Sequence, residues 1–301
     1  MSPPSSRSAA DAVAEQRPLG RRELRTLLAE RGIAPRQAFG QNFVVDPNTV
    51  ERIARLAAVG VGDRVVEVGA GLGALTVALA GTGAEVTAVE VDPRLVAELP
   101  SLVPDTVRVV EADALHCDWD EILAGAAGPG AEWVLVANLP YNVATPLVVA
   151  LLTAVPSIRR MLVMVQAEVG VRLAAPPGNR AYGALTVRVA YFALARVVGR
   201  VSPAVFYPRP RVDSVLVSIA RRPQPAVAPE VASYAEIDEL VRAGFAGRRK
   251  MLRRSLAGIV LPEAFVAAGI DARLRAEQLD VVAWGKLASC QRSIECSRPP
   301  S

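Results

Sequence analysis

The chain has 301 residues, of which 51% are hydrophobic and 5% aromatic, with 34 Lys and Arg against 30 Asp and Glu. That apolar fraction excludes a disordered chain, and the length suits one large domain with a smaller appendage. Every long apolar run meets a charge, a Pro or a Gly before the ~18 residues of a membrane span, so a soluble, cytoplasmic protein with no membrane partner is expected. Three cysteines without C-x-x-C spacing, with His116 as the single histidine, argue against a disulfide framework and against a metal site. Hydrolases that rely on a histidine base lose most of their support.

Residues 1–20 are rich in Ser, Pro and Ala, lack an apolar h-region and read as a disordered tail. From residue 21 to 222 strand and helix patterns alternate. Strands are predicted at 64–69, 85–90, 106–111, 133–137 and 161–165, with an Ala/Leu helix at 73–80 after the first of them. Spacings of roughly 20–30 residues between strands suit βαβ crossovers. The fold class is therefore α/β, a doubly wound, mostly parallel sheet with binding at the carboxyl ends of its strands. Residues 221–229 read as a proline-rich linker, 229–289 as a small all-α domain with helices at 234–246, 249–259, 262–268 and 275–289, and 290–301 as a tail.

Charge divides along the chain. Residues 60–130 carry twelve acids against three arginines, whereas 158–222 carry eleven arginines against Glu168 and Asp213. Arg242, Arg248, Arg249, Lys250, Arg253 and Arg254 then follow without an intervening acid. A solvated helix face is the plain alternative for that cluster, but two basic stretches together favour a nucleic-acid partner.

Glu67-Val-Gly69-Ala-Gly71-Leu-Gly73 lies where a strand turns into a helix, and glycines there let the backbone approach a nucleoside closely. Glu90, 21 residues after Gly69 at the end of the next strand, can take both ribose hydroxyls. The loop alone also fits a dinucleotide cofactor. Two features tilt the reading to S-adenosylmethionine: the Glu67 carboxylate, which would repel a pyrophosphate, and Asp113, which can accept a hydrogen bond from an adenine amino group. For Asp113 a helix cap is the alternative.

Asn138-Leu139-Pro140-Tyr141 follows the fourth strand. The exocyclic amine of adenine is a poor nucleophile, because its lone pair is delocalised into the ring. A site that methylates it must accept hydrogen bonds from the amine; the Asn138 side-chain oxygen and a backbone carbonyl beside Pro140 are the expected acceptors, and Tyr141 offers a flat face for an extruded base. The methylated ammonium is acidic enough to lose its proton to water, so no strong base is required.

With Phe39-Gly-Gln-Asn-Phe43, Val89-Glu90-x-Asp92, Glu111-Ala-Asp113, Gln166-x-Glu168, Ala181-Tyr-Gly183, Phe206-x-Pro-x-Pro-x-Val-Asp213-Ser214 and Phe245-x-x-Arg248-Arg-Lys250, these motifs occur in the order of the KsgA family, which the chain resembles from about residue 35 to 287. That family comprises adenine dimethyltransferases of small-subunit (16S) rRNA. The resemblance implies a Rossmann-like class I methyltransferase that uses S-adenosylmethionine on two adjacent adenosines in the 3′-terminal hairpin of 16S rRNA during small-subunit biogenesis, and a monomer is expected. It implies that Gln41, Asn42 and Val44 fold over the cofactor, that Gly69 faces its methionine part, Glu90 its ribose and Asp113 its adenine, that Glu67 and Gly71 also bind it, and that Asn138 sits where cofactor and target base meet. Tyr141 and Phe206 would sandwich the target base, and Arg248, Arg249, Lys250 and Arg253 would grip rRNA phosphates. Phe39, Phe43 and Phe206 have an alternative as core anchors. The family usually has Leu at the position of Val44 and Pro at that of Ala70. An Erm-type enzyme acting on large-subunit rRNA and a non-catalytic assembly factor are the competing readings.

Overall fold

The computed structural model describes residues 17–36, 39–124, 130–140 and 143–297. In chain order the first elements are α1 (Arg21–Glu30), β1 (Phe43–Val44), α2 (Pro47–Ala57), β2 (Arg64–Val68), α3 (Ala74–Ala80), β3 (Glu85–Glu90) and α4 (Pro93–Glu98). Then come β4 (Arg108–Glu111), α5 (Trp119–Ala124), β5 (Trp133–Asn138), α6 (Ala144–Ala154), β6 (Ile158–Gln166), α7 (Ala167–Leu173) and α8 (Ala184–Phe192). After these follow β7 (Ala193–Val201), β8 (Phe206–Tyr207), β9 (Ser214–Arg221), α9 (Tyr234–Ala246), α10 (Leu252–Ser255), α11 (Pro262–Ala267) and α12 (Val281–Cys296).

Seven strands form one sheet in the order β4-β3-β2-β5-β6-β9-β7. β2 pairs in parallel with β3 and with β5, Val68 opposing Val89 on one side and Ala137 on the other. β3 with β4 and β5 with β6 are parallel as well. Val65 and Val66 of β2 are both fully buried, as a β-branched run must be when a sheet is covered on both faces. From β2 the chain winds outward through β3 to β4 and then returns to the opposite flank of β2 as β5. The order of strands therefore reverses between β2 and β5, and a crevice opens beyond their carboxyl ends. The doubly wound α/β class read from the sequence is the fold observed.

Local chemistry sets the helix ends. Asp46 accepts a hydrogen bond from the Thr49 N–H at 3.0 Å, with Pro47 in the first turn of α2. Ser233 and Glu236 form a capping box at the start of α9.

The chain divides into two compact units, residues 1–170 with 197–219, and residues 171–196 with 220–301. The second unit is helical, but its limits differ from a boundary at 222. Tyr182, Val187 and Tyr191 share a core with Leu240, Phe265 and Trp284, so residues 171–196 belong with it. The expected linker is packed too: Val227 is buried, and a Cβ on Gly285 would lie 2.6 Å from its Cγ2. α12 runs on to Cys296 instead of ending at 289, because the buried Gln291 accepts from the Leu261 N–H at 2.8 Å and Ile294 packs on the core. The helix expected at 249–259 is reduced to α10. Its Leu252 and Arg253 N–H groups bond to the Leu274 and Ala272 carbonyls, and Gly258 adopts a φ of 80° that a helix cannot continue through. α12 begins at Val281, not at 275, with Asp280 as its N-cap.

Candidate functional site

The crevice beyond β2 and β5 is a cavity of about 300 Å³ in the first unit, within the size range of small-molecule sites. Its walls come from four stretches: the loop after β2, the ends of β3 and β4, the turn after β5, and residues 39–44. Gln41, Asn42, Val44, Glu67, Gly69, Gly71, Glu90, Asp113, Asn138, Leu139 and Pro140 all line it. Tyr141 lies outside the described residues.

The glycine loop is shaped by close approach. Gly71 has a φ of 61°, and a Cβ there would meet the Phe43 ring at 3.2 Å. The left-handed backbone and the packed ring together require glycine. A Cβ on Gly69 would stand 3.7 Å from the Asn138 carbonyl oxygen, which measures how closely the loop and the turn after β5 approach one another.

Three carboxyls meet the cavity in different electrostatic states. Glu67 is buried and accepts from the Thr76 hydroxyl at 2.5 Å; burial, aided by the nearby Glu90 charge, pushes its pKa up to about 8. At neutral pH it is mostly uncharged, so the expected repulsion of a pyrophosphate by a Glu67 carboxylate does not operate; burial has removed the charge. Glu90 accepts from the Gly71 N–H at 2.8 Å and from the Val91 and Asp92 N–H groups at 2.9 and 3.0 Å. Burial still raises its pKa, the three N–H donors opposing the shift. Asp113 is exposed, accepts from the Leu115 N–H at 2.9 Å and lies 2.9 Å from the His116 ring nitrogen, which with that N–H holds its carboxyl below the ordinary range. It therefore caps a turn while lining the cavity.

Asn138 ends β5, and its Nδ2 donates to the Asn42 carbonyl oxygen at 3.0 Å. A carbonyl can only accept, so this bond fixes the amide with Oδ1 on the opposite branch. Among the described residues no hydrogen bond reaches Oδ1. Leu139 is buried and donates its N–H to the Met164 carbonyl at 3.1 Å. The Pro140 carbonyl is taken up by the Val143 and Ala144 N–H groups at the start of α6.

Two expectations are corrected. Phe206 does not line the cavity. β8 pairs antiparallel with β1, setting Phe206 opposite Val44, and its ring is 1% exposed in a core with Val50 and Leu216. It is a core anchor, the alternative that the sequence left open. In the helical unit Arg248 is not a free cation: its Nε donates to Glu277 at 2.8 Å, and it also bonds to the Arg180 carbonyl. Arg249, Lys250 and Arg253 are exposed, and among the described residues they form no ion pair. Arg242 is paired with Asp238 at 3.2 Å.

Sequence reasoning placed Asp92 in a motif but gave it no role. Its carboxylate is fully buried and takes Arg94 N–H, Nε and Nη2 at 3.2, 3.0 and 2.6 Å and Gln41 Nε2 at 2.9 Å. These donors, Arg94 first, hold its pKa down at about 2. An acid directly before a proline reads simply as a helix cap, so only the long-range contact to Gln41 reveals more.

Among the described residues no cluster of three potential metal ligands occurs and no helix is long and apolar enough to cross a membrane. Residues 33–289 match the family described as "Ribosomal RNA adenine dimethylase". The "Ribosomal RNA small subunit methyltransferase A" of Kineococcus radiotolerans is 48% identical over 90% of this chain and 91% of its own length. The protein of the same name from Thermobifida fusca is 46% identical over 91% and 96%. Among solved structures, a dimethyladenosine transferase from Plasmodium falciparum aligns with a TM-score of 0.68 at 24% identity, covering 80% of this chain and 94% of that one, and shares the fold. The 23S rRNA methyltransferase ErmE aligns at 0.65 with 25% identity, covering 83% and 100%. By sequence and by fold, this chain belongs to the ribosomal RNA adenine dimethylase family.

Proposed function

We propose that this protein transfers methyl groups from S-adenosylmethionine to N6 of two adjacent adenosines in the 3′-terminal hairpin of 16S rRNA, twice on each, during biogenesis of the small ribosomal subunit. The observation that carries this reading is the Asn138 amide, pinned through Nδ2 to Asn42 beside the cofactor cavity, with Oδ1 left as an acceptor.

The residues present fit a cationic cofactor. Glu67 and Glu90 are two buried carboxyls whose ionised forms are disfavoured, and a positively charged ligand lowers the cost of ionising them. S-adenosylmethionine supplies a methyl group activated on a positively charged sulfur. Glu90 would hold its ribose, Asp113 its adenine, and the backbone around Gly69 and Gly71 its methionine part; Gln41, Asn42 and Val44 would cover it. Asn138 Oδ1 accepts a hydrogen bond from the adenine amine, drawing the nitrogen toward tetrahedral geometry so that its lone pair can attack. With no histidine in the cavity, the proton of the methylated amine leaves to water. Tyr141 is proposed as the flat face for the extruded base.

Arg249, Lys250 and Arg253 are proposed to bind rRNA phosphates, with Arg248 bracing the turn that carries them. Removing one such cation should lower the slope of log affinity against log salt by about 0.9 on duplex RNA or ~0.7 on a single strand, taking the DNA values. Arg249→Ala with Lys250→Ala is therefore expected to flatten the slope by roughly 1.5, as measured by filter binding at salt concentrations from about 50 to about 200 mM. An unchanged slope would remove these residues from the interface.

The relatives' names favour the small subunit over the large. A monomeric, cytoplasmic enzyme is the corresponding physiological reading. The purified protein, given cofactor and either subunit in unmethylated form, should produce N6,N6-dimethyladenosine in small-subunit RNA. Product in the large subunit alone would favour an Erm-type enzyme, and no product with intact cofactor binding would favour an assembly factor.

A further inference from the structure

One hydrogen-bonded path leads from Asp92, outside the glycine loop, to the amide at the end of β5. Gln41 donates Nε2 to Asp92 Oδ2 at 2.9 Å, while its Oε1 accepts from the Arg36 N–H at 2.7 Å. Both ends of that side chain are thus fixed. The next residue, Asn42, presents the carbonyl that takes Asn138 Nδ2, and its own Nδ2 is tied to the Gly40 carbonyl at 2.9 Å. Beyond it, Phe43 and Val44 are locked into β1 by their pairing with Tyr207 and Phe206. The Asn42 carbonyl is therefore held from one side by the sheet and from the other by the bond to Asp92. Asp92 in turn donates its N–H to Glu90 Oε1 at 3.0 Å, so one residue braces the candidate ribose carboxylate and the support of the amide together.

We propose that Asp92 is a positioning residue for methyl transfer, acting through Gln41 and the Asn42 carbonyl to keep the Asn138 amide turned with its oxygen toward the target amine. An amide free to flip would present NH₂ to an amine that itself donates, and two donors cannot bond. Holding the correct rotamer is then the difference between an acceptor and a repulsive contact. Asp92 is suited to this task because it is completely buried and ionised: a charge-assisted anchor is stronger than a neutral one, and the Arg94 guanidinium bound to it balances the charge. The inference rests on the proposed adenine-N6 reaction and adds a residue that acts on it at a distance.

The experiment compares wild type, Gln41→Ala, Asp92→Asn and the double variant, using the full chain, S-adenosylmethionine and unmethylated small subunits. Gln41→Ala severs the path and leaves the Asp92–Arg94 pair standing, so it decides the matter even if Asp92→Asn fails to fold. At saturating cofactor and RNA, kcat is expected to fall about tenfold in Gln41→Ala and by a similar factor in Asp92→Asn, with the double variant no worse than either single. A rise in KM for the cofactor with kcat within twofold of wild type would overturn the proposal, since Gln41 would then only bind the cofactor. Losses that multiply in the double variant would overturn it also. Wild-type protein that methylates no adenosine would instead sink the proposed reaction, and the two failures are told apart by the wild-type lane alone.

Discussion

Asn138→Ala should abolish detectable dimethylation while leaving cofactor affinity within a few-fold of wild type. The loss follows from the role of Oδ1. Removing one preorganised group that bonds the reacting centre typically costs ~10²–10³ in rate, and here the same change also removes the side-chain acceptor proposed to make the amine nucleophilic. Cofactor binding is spared because the groups proposed to hold the nucleoside, Glu90 and Asp113, sit on β3 and after β4 and do not hydrogen-bond to Asn138. Mass spectrometry of the rRNA nucleosides reads the product, and a calorimetric titration with the cofactor reads the binding. Dimethyladenosine at wild-type levels would show that the strand-end amide is not the acceptor.

The second large effect concerns Glu67, whose pKa stands near 8 in the folded protein against 4.5 as the ordinary value. Between those two values the native state holds a proton that the unfolded chain releases. The corresponding stability is fully present below about pH 4.5 and is lost as pH rises through 8. At about 1.4 kcal/mol per unit, the shift amounts to roughly 5 kcal/mol over that window. Glu67→Gln cannot ionise, and its amide oxygen can still accept from Thr76. The variant and wild type should melt together near pH 5 and diverge by on the order of 10 °C at pH 9, the variant being the more stable. A residual fall with pH is expected in the variant because Glu90 shifts in the same direction. Parallel melting curves across this range would mean that Glu67 is ionised and solvated in the native state. The same proton links to the ligand: a cationic cofactor favours the ionised carboxylate, so affinity should climb from pH 6 to 8 in wild type and climb less in Glu67→Gln.

The doubly wound sheet was legible because β2 to β6 are apolar runs of ordinary length at crossover spacing, each read to within a few residues. β1 and β8 are two residues long, below any detectable period, yet their pairing decides where Phe206 points. That is why a motif position with two readings resolved as core. The cavity-lining residues from the glycine loop to Asn138 were legible because short motifs at strand ends carry their own placement. What sequence could not supply was the state of each group. The neutral Glu67 depends on burial, the commitment of Arg248 depends on Glu277, which is distant in sequence, and the reach of Asp92 depends on a contact to Gln41 across 51 positions.

Because the chain enters the helical unit at 171, leaves it at 196 and re-enters at 220, no single cut excises that unit. A fragment starting after residue 222 would lack Tyr182, Val187 and Tyr191, three buried members of its core, and the Tyr182 hydroxyl that donates to the Leu279 carbonyl at 2.9 Å. Such a fragment would expose to water the faces of Phe245 and Tyr234 that pack on Tyr182 and Tyr191, and would tend to self-associate. Dissecting what the helical half contributes to RNA affinity therefore calls for point substitutions on the intact polypeptide, or for a circular permutant that rejoins the two stretches.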